Sequence, residues 1–330
     1  MKKLLALAAV AAGIAGLQAG TALSSNNCSF TVKGSTMSLN ADCTTDTTIL
    51  VPNGVTLDGK NHTINAVDPA GDHFKGAVVQ AGGTWAAVQN LTIAGHFTQD
   101  VCDAGGDRLR GILFDGASGT ITHDTVTGIT QPSSGCQEGN AIEVRNAPFD
   151  GTHPATKMVK VDHNSVSTWQ KTGILANGDV AVSIDHNTIG ASADQPNYIA
   201  ANSIQLGFGA IGAIDHNTIT GNQWCGAADD AATGILLYDS GQANVSHNDI
   251  GGNSDIGIYV GSDNATVDHN NVTDDPSIAD CNQHGYDIGI GNYGADGGDP
   301  TTNVVTHNTV TGFDTQYDGP VGAHNGSNVR

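Results

Sequence analysis

A small group of charged residues stands out against an acidic background, because the chain carries 33 acidic but only 12 basic side chains. Arg110, Arg145 and Lys171 occupy related positions in similar segments of the sequence, and the acids Asp115 and Glu143 accompany them. These residues are candidates for cleavage of a sugar polymer. β-Elimination from a uronic acid needs a cation at the carboxylate and a base at the α-carbon, and arginine or lysine can supply both.

Two other interpretations of these residues are open. Glycoside hydrolysis uses two carboxyl groups at a set separation, which Asp115 and Glu143 would supply. Alternatively, Asp115 and Arg145 form a surface ion pair that contributes little. We predict Arg110, Glu143, Arg145 and Lys171 as catalytic residues and Asp115 as a substrate-binding residue.

Aromatic residues make up only 5% of the chain. Several of them nevertheless lie beside the charged residues or in the later segments of the same series. Aromatic rings present flat apolar faces on which a sugar ring can stack. We predict that Trp169, Tyr238, Tyr259 and Tyr293 contact a substrate. Trp169 and Lys171 belong to the short connection STWQKTG at 167–173, which would form the floor of a gap between longer loops.

A histidine recurs at one position of a repeated phrase, in the copies His123, His163, His186, His216, His247, His269 and His307. Neighbouring strands lie ~4.8 Å apart, so adjacent imidazoles could share a metal ion. The repetition itself favours a structural role, in which each histidine lies at a bend and stacks on the next. A catalytic or metal position normally interrupts a repeat, and the sequence leaves any metal ligands unknown.

The elements that would position these residues follow from two alternating phrases. The first resembles DHNTI and occurs at 122–126, 162–166, 185–189, 215–219, 246–250, 268–272 and 306–310, with degenerate copies at 61–64 and 89–93. The second resembles TGILL, with the shared residues Ile112, Ile142, Ile174, Ile204, Ile235, Ile258 and Ile290. The shortest spacing in each direction is 11 residues, as from His247 to Ile258 and from Ile258 to His269, so a minimal unit has about 22 residues.

Strict alternation of apolar and polar residues within these units, as in VSIDHNTI, predicts short β-strands. One unit cannot bury its apolar face alone, so successive units stack as the coils of a solenoid. A β-propeller or a β-sandwich would also contain short strands and turns, but neither explains insertions confined to fixed points of the unit. We predict an all-β, single-stranded parallel β-helix of about nine coils.

In this repeat pattern the chain resembles the right-handed parallel β-helix proteins, whose best-known members are pectate lyases and related carbohydrate-active enzymes. The resemblance covers roughly residues 45–315 and implies an inward asparagine ladder: Asn164, Asn187, Asn217, Asn248, Asn270 and Asn308, with Asp124 replacing one amide. It also implies a polysaccharide groove along one sheet, and Ca²⁺ as the only cofactor suggested. The insertions at 96–109, 129–139, 190–201, 221–232 and 274–286 would wall that groove.

The commonest enzyme signatures of this family are missing. The sequence lacks the combined Asn-Thr-Asp, Asp-Asp and Arg-Ile-Lys set of polygalacturonases and the Asp-Pro-His-Asp motif of alginate epimerases. We therefore expect a protein that binds an extracellular polysaccharide and, in one interpretation, cleaves it as a lyase or a hydrolase. The alternatives are a non-catalytic adhesion or glycan-binding scaffold and a periplasmic metal-binding β-helix.

The first residues, MKKLLALAAVAAGIAGLQAGTALSS, combine lysines, an apolar run and small residues in the manner of a secretory signal peptide. The run is too short for a membrane span, and no later stretch is apolar enough for one. We predict a signal peptide at 1–22, an N-terminal capping segment at 23–54, the β-helix at 55–315 and a C-terminal tail at 316–330. The protein should be secreted or periplasmic and monomeric, and its acidity disfavours nucleic-acid binding.

Six cysteines in an exported chain suggest disulfides. Cys28 and Cys43 bracket the segment that would cap the first coil. Cys102 and Cys136 lie in insertions of consecutive coils, and Cys225 and Cys281 lie in long insertions two coils apart. We predict these three pairings, and the lack of a CxxC motif argues against a zinc site.

Overall fold

The computed structural model describes residues 26–132, 135–147, 156–192, 200–296 and 298–320. The predicted signal peptide lies outside these ranges, as do most of the insertion predicted at 190–201 and much of the predicted C-terminal tail. Apart from strands, the described residues form two short 3₁₀ turns, Gly105–Asp107 and Pro300–Thr302. None of their helices is long and apolar enough to cross a membrane.

Short strands from successive coils stack into three long sheets. Sheet A contains Phe30–Lys33, Thr36–Leu39, Val55–Asp58, Trp85–Gln89, Ser118–Thr122, Lys157–Asp162, Val180–Asp185, Ile211–Asp215, Ala243–Ser246, Thr266–Asp268 and Val304–Thr306. Sheet B contains Cys43–Thr45, Thr63–Val67, Thr92–His96, Thr125–Ile129, Ser165–Trp169, Thr188–Ile189, Thr218–Thr220, Asp249–Gly251, Asn271–Thr273 and Thr309–Thr311. Sheet C contains Ile49–Val51, Ala77–Ala81, Arg110–Asp115, Asn140–Asn146, Thr172–Gly178, Asn202–Gly207, Thr233–Tyr238, Ile256–Gly261, Ile288–Asn292 and Thr315–Asp318.

Each strand pairs in parallel with the equivalent strand of the next coil, which confirms the predicted parallel β-helix. Phe30–Lys33 is different, because it pairs antiparallel with Thr36–Leu39 at the first coil. Sheets B and C each contain 10 strands, one more than the nine expected coils. The extra coil arises because strands within 23–54, expected only to cap, already pair in all three sheets. At the other end, the strand Thr315–Asp318 extends past the predicted boundary at 315.

The core is a continuous column of inward apolar side chains. The aligned isoleucines of the second phrase are buried and in register, as in the pairs Ile142–Ile174 and Ile204–Ile235. Fully burying one such side chain stabilises the fold by roughly 1.5–3 kcal/mol. Because each coil completes the burial of its neighbours, the stack fixes the position of every outward side chain on the strands.

The predicted asparagine ladder is confirmed. Asn164 Nδ2 donates to Asn187 Oδ1 at 3.0 Å, and the same contact repeats through Asn217, Asn248, Asn270 and Asn308. Each amide also donates to a main-chain carbonyl of the preceding coil, as Asn187 Nδ2 does to Val161 O at 2.9 Å. The buried amides are thus satisfied between coils, as buried polar groups must be.

The seven repeated histidines, called here the histidine column, form the corner between sheets A and B. All of them adopt a left-handed backbone with φ between 52° and 58°. Their rings stack from coil to coil, with centroids 4.7–5.4 Å apart. The predicted role of histidine at a bend, stacked on its neighbours, is therefore confirmed.

All three predicted disulfides are present, with Cα–Cα distances of 4.9 Å for Cys28–Cys43, 5.2 Å for Cys102–Cys136 and 5.0 Å for Cys225–Cys281. The first bond fastens the N-terminal segment to the opening coil. The other two each join loops that project beside sheet C, so they hold the walls of its outward face.

Candidate functional site

The outward face of sheet C is built from three columns of side chains on each strand of the second phrase. In these strands, two consecutive residues face the core. In the first of them, Ile112 is buried, and a Cβ added to the preceding Gly111 would meet the inward side chain of Val126. The outward columns therefore lie two residues before, one after and three after each aligned isoleucine. Register places Arg110 beside Asn140, Leu113 beside Glu143 and Asp115 beside Arg145.

The structure brings together four of the predicted site residues, Arg110, Asp115, Glu143 and Arg145, called here the charged cluster. Arg110 Nε donates to Glu143 Oε2, which also accepts from Asn140 Nδ2 at 2.9 Å. Arg145 donates to Asp115 Oδ2 at 2.8 Å, and its second nitrogen lies 3.6 Å from Glu143 Oε1. The cluster is a closed network of opposite charges.

Burial corrects the expectation that this network faces a ligand. Arg110 is 1% exposed and Glu143 is 3% exposed. Arg110 also donates to the carbonyls of Gly105 and Arg108, because the insertion at 96–109 folds over the guanidinium. Arg110 and Glu143, which were predicted to be catalytic, therefore offer a substrate almost no accessible surface. Arg145 and Asp115 remain partly exposed.

Lys171 lies apart from the charged cluster. Its Nζ donates to Ala200 O at 2.6 Å. Burial lowers the pKa of Lys171 to about 8, against the attraction of Asp230. A lysine in this range can act as a base near neutral pH, but here its ammonium already has a main-chain partner.

The prediction that Trp169 stacks on a ligand is wrong. Trp169 is 0% exposed, aligns with the inward Ile129 of sheet B, and donates from Nε1 to Gly190 O at 3.0 Å. The preceding Thr168 has a φ of 53°, which interrupts the alternation of the strand. Trp169 therefore turns into the core instead of forming the floor of a groove.

Further along sheet C, the other predicted aromatic residues share an open cleft of about 500 Å³, a size typical of ligand sites. Tyr259 and Tyr293 lie with ring centroids 4.9 Å apart, and Tyr238 is 41% exposed on an adjacent coil. Tyr286 enters from a loop. These four tyrosines define what we call the tyrosine cleft.

Three carboxylates stand at the walls of the tyrosine cleft. Asp229 and Asp230 come from the loop at 221–232, and Asp318 comes from the last strand of sheet C. Tyr286 donates its hydroxyl to Asp229 at 2.9 Å, and Tyr293 donates to Asp318 at 3.0 Å. The bond to Asp229 raises the pKa of Tyr286, and burial together with Asp318 raises the pKa of Tyr293. Both phenols therefore stay neutral while their rings line the cleft.

The wall of the cleft is fastened at several points. The Cys225–Cys281 disulfide joins its two loops, and Gln223 Oε1 accepts from the Cys281 amide at 2.9 Å. Beneath them, the buried Asp255 accepts from the amides of Trp224 and Ala232 at 2.8 and 2.7 Å. Burial raises the pKa of Asp255 to about 7, with the two amide bonds opposing that shift.

Sequence reasoning missed Asp229, Asp230, Tyr286 and Asp318. The predicted Cys225–Cys281 pairing was a usable signal, because it brings the loops that carry Asp229 and Tyr286 together. Asp318 had no such signal, since it was assigned to the tail and not to the last strand.

Among the described residues, three groups have the composition of a metal site. Cys102, Cys136 and Glu138 form one, but its cysteines are joined in a disulfide and cannot act as thiolate ligands. The other two combine one aspartate of the first phrase with two stacked histidines, and both belong to the histidine column. Both groups lie at the corner between sheets A and B, whereas the tyrosine cleft lies on the outward face of sheet C.

One comparison with known proteins, with a family model, agrees with the fold. Among solved structures, the Dettilon tailspike protein is similar, with a TM-score of 0.39 and 15% sequence identity over 83% of this chain and 54% of that one. The chain thus spans about half the length of that structure. A search of curated proteins finds no significant match. A family model described as "Right handed beta helix region" matches residues 110–329. Because this match covers more than half of the sequence, the chain belongs to the right-handed β-helix family.

Proposed function

We propose that this protein is exported and binds a neutral extracellular polysaccharide in the tyrosine cleft. One observation carries the proposal: tyrosines from four separate segments line a single open cavity on the outward face of sheet C. An amphipathic ring such as tyrosine offers an apolar face for a sugar ring and a hydroxyl for its polar edge. The cleft also continues along the stack of coils, in the direction in which an extended polymer would lie.

The charge of the cleft selects among polymers. Its lining includes Asp229, Asp230 and Asp318, and none of its described lining residues is a lysine or an arginine. Like charges repel a uronic-acid polymer, so the cleft favours a neutral glycan. Of the two residues predicted to neutralise a uronate, Arg145 is already paired with carboxylates and Lys171 donates to Ala200 O.

Export is supported by chemistry at two places. The sequence at 1–22 has the form of a signal peptide. All six cysteines are joined in disulfides, which form and persist in oxidising compartments. A glycan-binding role outside the cytoplasm is consistent with both.

Hydrolysis of the bound polymer is a second candidate function. It is favoured by the carboxylates on different walls of the cleft, Asp229 and Asp230 on one loop and Asp318 on the terminal strand. Glycoside hydrolysis requires two carboxyl groups on either side of the scissile bond. Elimination is less favoured here, because none of the described residues that line the cleft is a cation that could neutralise a uronate.

Binding is tested by titrating soluble neutral and uronate polysaccharides into the protein and into the variants Tyr238→Ala and Tyr259→Ala. Loss of a buried aromatic contact typically weakens binding by roughly tenfold or more. Trp85→Ala is the matched control, since Trp85 is an equally exposed aromatic residue, 41%, on sheet A. Equal binding by the tyrosine variants and the wild type would refute the cleft, and a preference for uronates would refute its proposed selectivity.

Cleavage is tested on every polymer that binds, with and without Ca²⁺, by following reducing ends and the ultraviolet absorbance of unsaturated ends. We expect reducing ends without unsaturated ends if hydrolysis occurs. The variants Asp229→Asn, Asp230→Asn and Asp318→Asn should then abolish turnover while binding persists. Unsaturated products would instead support the elimination interpretation, and no product at all would leave binding as the function.

A further inference from the structure

The histidine column contains two places where three ligand-type side chains converge. In one, His216 Nδ1 lies 2.6 Å from Asp215 Oδ2, and His247 Nδ1 of the next coil lies 3.3 Å from Asp215 Oδ1. In the other, Asp268 lies 2.7 Å from His269 Nδ1 and 2.9 Å from His307 Nδ1. One carboxylate therefore faces two imidazoles from adjacent coils in each case.

Both arrangements occur where a copy of the first phrase without the aspartate follows a coil that has it. Most copies of the first phrase place an aspartate before the histidine, but Ser246 and Thr306 stand in that position before His247 and His307. Each of these histidines turns back to the aspartate of the preceding coil. The hydroxyls of Ser246 and Thr306 donate to the same carboxylates at 2.7 Å, which fixes their orientation.

Earlier coils of the column lack this arrangement. Among the described residues, the only carboxylate that pairs with His163 is Asp162, and the only one that pairs with His186 is Asp185, each from its own coil. The ammonium of Lys160 lies 3.2 Å from Asp162 and 3.6 Å from Asp185, so a cation already neutralises both acids. Within the described part of the chain, Asp215 and Asp268 form ion pairs with histidines alone.

We propose that the protein binds two divalent transition-metal ions of the Zn²⁺ type, one at Asp215, His216 and His247 and one at Asp268, His269 and His307. Two imidazoles and a carboxylate are a donor set that such ions prefer over Mg²⁺ or Ca²⁺. At zinc bond lengths of about 2.0–2.1 Å, tetrahedral ligand atoms lie ~3.4 Å apart. The three ligand atoms of each group already lie within 4.8 Å of one another, so small side-chain shifts complete the site.

Exposure permits both the approach of an ion and these shifts. The imidazoles of both sites are about half exposed at the corner of the coil. On binding, the proton on each Nδ1 moves through solvent to Nε2, and the freed Nδ1 lone pair meets the ion. A bound ion then links consecutive coils on a face of the solenoid distinct from sheet C.

The test is titration of Zn²⁺ into the metal-free full chain by calorimetry, followed by thermal unfolding. We expect two equivalents of Zn²⁺ and a raised melting midpoint for the wild type. Asp215→Asn and Asp268→Asn should each lower the stoichiometry from two to one, and the double variant should bind at neither site. His186→Ala is the matched control, because it removes a stacked histidine outside both sites and should retain two equivalents.

Several results would overturn the proposal: no Zn²⁺ binding by the wild type, two equivalents in the double variant, or an equal loss in His186→Ala. Binding of Mg²⁺ with the same stoichiometry and affinity would also contradict it, since the donor set is nitrogen-rich. The proposed metal sites and the proposed glycan cleft can be refuted independently of each other. Tyr238→Ala should leave two equivalents of Zn²⁺, and Asp268→Asn should leave glycan binding unchanged.

Discussion

Sheet C presents two outward regions with opposite chemistry. In the charged cluster, each of the four side chains is paired with an opposite charge, and a loop covers the pair of Arg110 and Glu143. Around the coils of Tyr238 and Tyr259, the loops stand back from the sheet and leave a cleft. The same strand positions therefore hold a buried ion-pair network in one region and an open aromatic surface in the other.

The contrast shows that a concentration of scarce charged residues does not by itself identify a ligand site. A charge that is buried must be paired with an opposite charge, and charges paired in this way are unavailable to a ligand. Aromatic rings left open at a walled surface carry the stronger signal, since exposing them has a cost that a ligand can offset. Four measurements would break or sharpen this comparison.

The largest effect is expected for Glu143→Gln in the charged cluster. The substitution leaves the buried guanidinium of Arg110 without its carboxylate, which should cost about 3–5 kcal/mol of unfolding free energy. Denaturant unfolding measures the loss, and Asp115→Asn is the control. Because Asp115 and Arg145 are partly exposed, that control should cost ~1 kcal/mol or less. Unchanged stability with lost glycan binding in Glu143→Gln would place the ligand site in the charged cluster after all.

Removing the Cys225–Cys281 disulfide by Cys225→Ser with Cys281→Ser should cost about 2–4 kcal/mol, because it releases a long loop in the unfolded chain. It should also weaken glycan binding, since the walls of the tyrosine cleft lose their covalent link. Cys102→Ser with Cys136→Ser is the comparison in the other region, with a sequence separation of 34 residues against 56. The two stability losses should differ by only ~0.4 kcal/mol from loop length. If both double variants lose binding equally, the cleft has no special dependence on its own wall.

The next largest effect on the free energy of unfolding is expected at Asp124, a buried carboxyl group that forms no ion pair within the described residues. Asp124 occupies one place in the asparagine ladder, accepts from the Leu91 amide at 2.8 Å, and has no partner for Oδ2. Burial raises the pKa of Asp124 to about 8, although two amide bonds oppose the shift. Asp124→Asn should therefore stabilise the fold at pH 8, because the amide supplies the missing donor and does not ionise; the donor alone should contribute roughly 1–3 kcal/mol.

The sign of the pH dependence follows from that raised pKa. Below pH ~3.9 the carboxyl is protonated in both the folded and the unfolded chain, so its ionisation does not lower the free energy of unfolding. As pH rises toward 8, the unfolded state loses its proton first and the wild type loses stability, which levels off above that range. The advantage of Asp124→Asn should grow between about pH 4 and 8. A constant difference across that interval would show that Asp124 is not held protonated.

The smallest effect on stability is expected for Tyr238→Ala, which should change the unfolding free energy by ~1 kcal/mol or less. Its ring is 41% exposed and contacts the similarly exposed ring of Phe208, so the substitution removes packing at the surface and not in the core. Its glycan affinity should nevertheless fall, which is the reverse of the outcome for Glu143→Gln. A destabilisation of several kcal/mol would mean that Tyr238 belongs to the packing of the coils.

The sequence predicted the fold well because the repeat reports burial directly. Isoleucines at a fixed place in each unit, and asparagines at another, can be satisfied only by stacking, so the register of sheets A, B and C followed from spacing. The disulfides followed in turn, since the loops that carry Cys225 and Cys281 face each other once the coils are aligned.

The site was harder to predict because it depends on what loops cover. Spacing correctly placed Arg110 and Glu143 on the outward face, but the fold of the insertion at 96–109 buries them. Trp169 was misplaced because a left-handed Thr168 reverses the direction of the next side chain, and such a conformation is rare outside glycine. The tyrosines that the sequence singled out line the cleft, whereas Asp229 and Tyr286 were not singled out because the loops that carry them were not placed.

The asparagine ladder has a consequence for how the solenoid comes apart. Each interior amide links three coils, as Asn217 does by donating back to Ile184 O and forward to Asn248 Oδ1, and the amide-to-amide bonds all run toward the C-terminal end. Aligned hydrogen bonds polarise one another, so breaking one in the middle weakens its neighbours on both sides. A terminal coil is joined to the stack on one side only, so fewer such links must break to release it. We therefore expect a pulling force along the axis to peel coils from the ends, one at a time, before the middle of the stack separates.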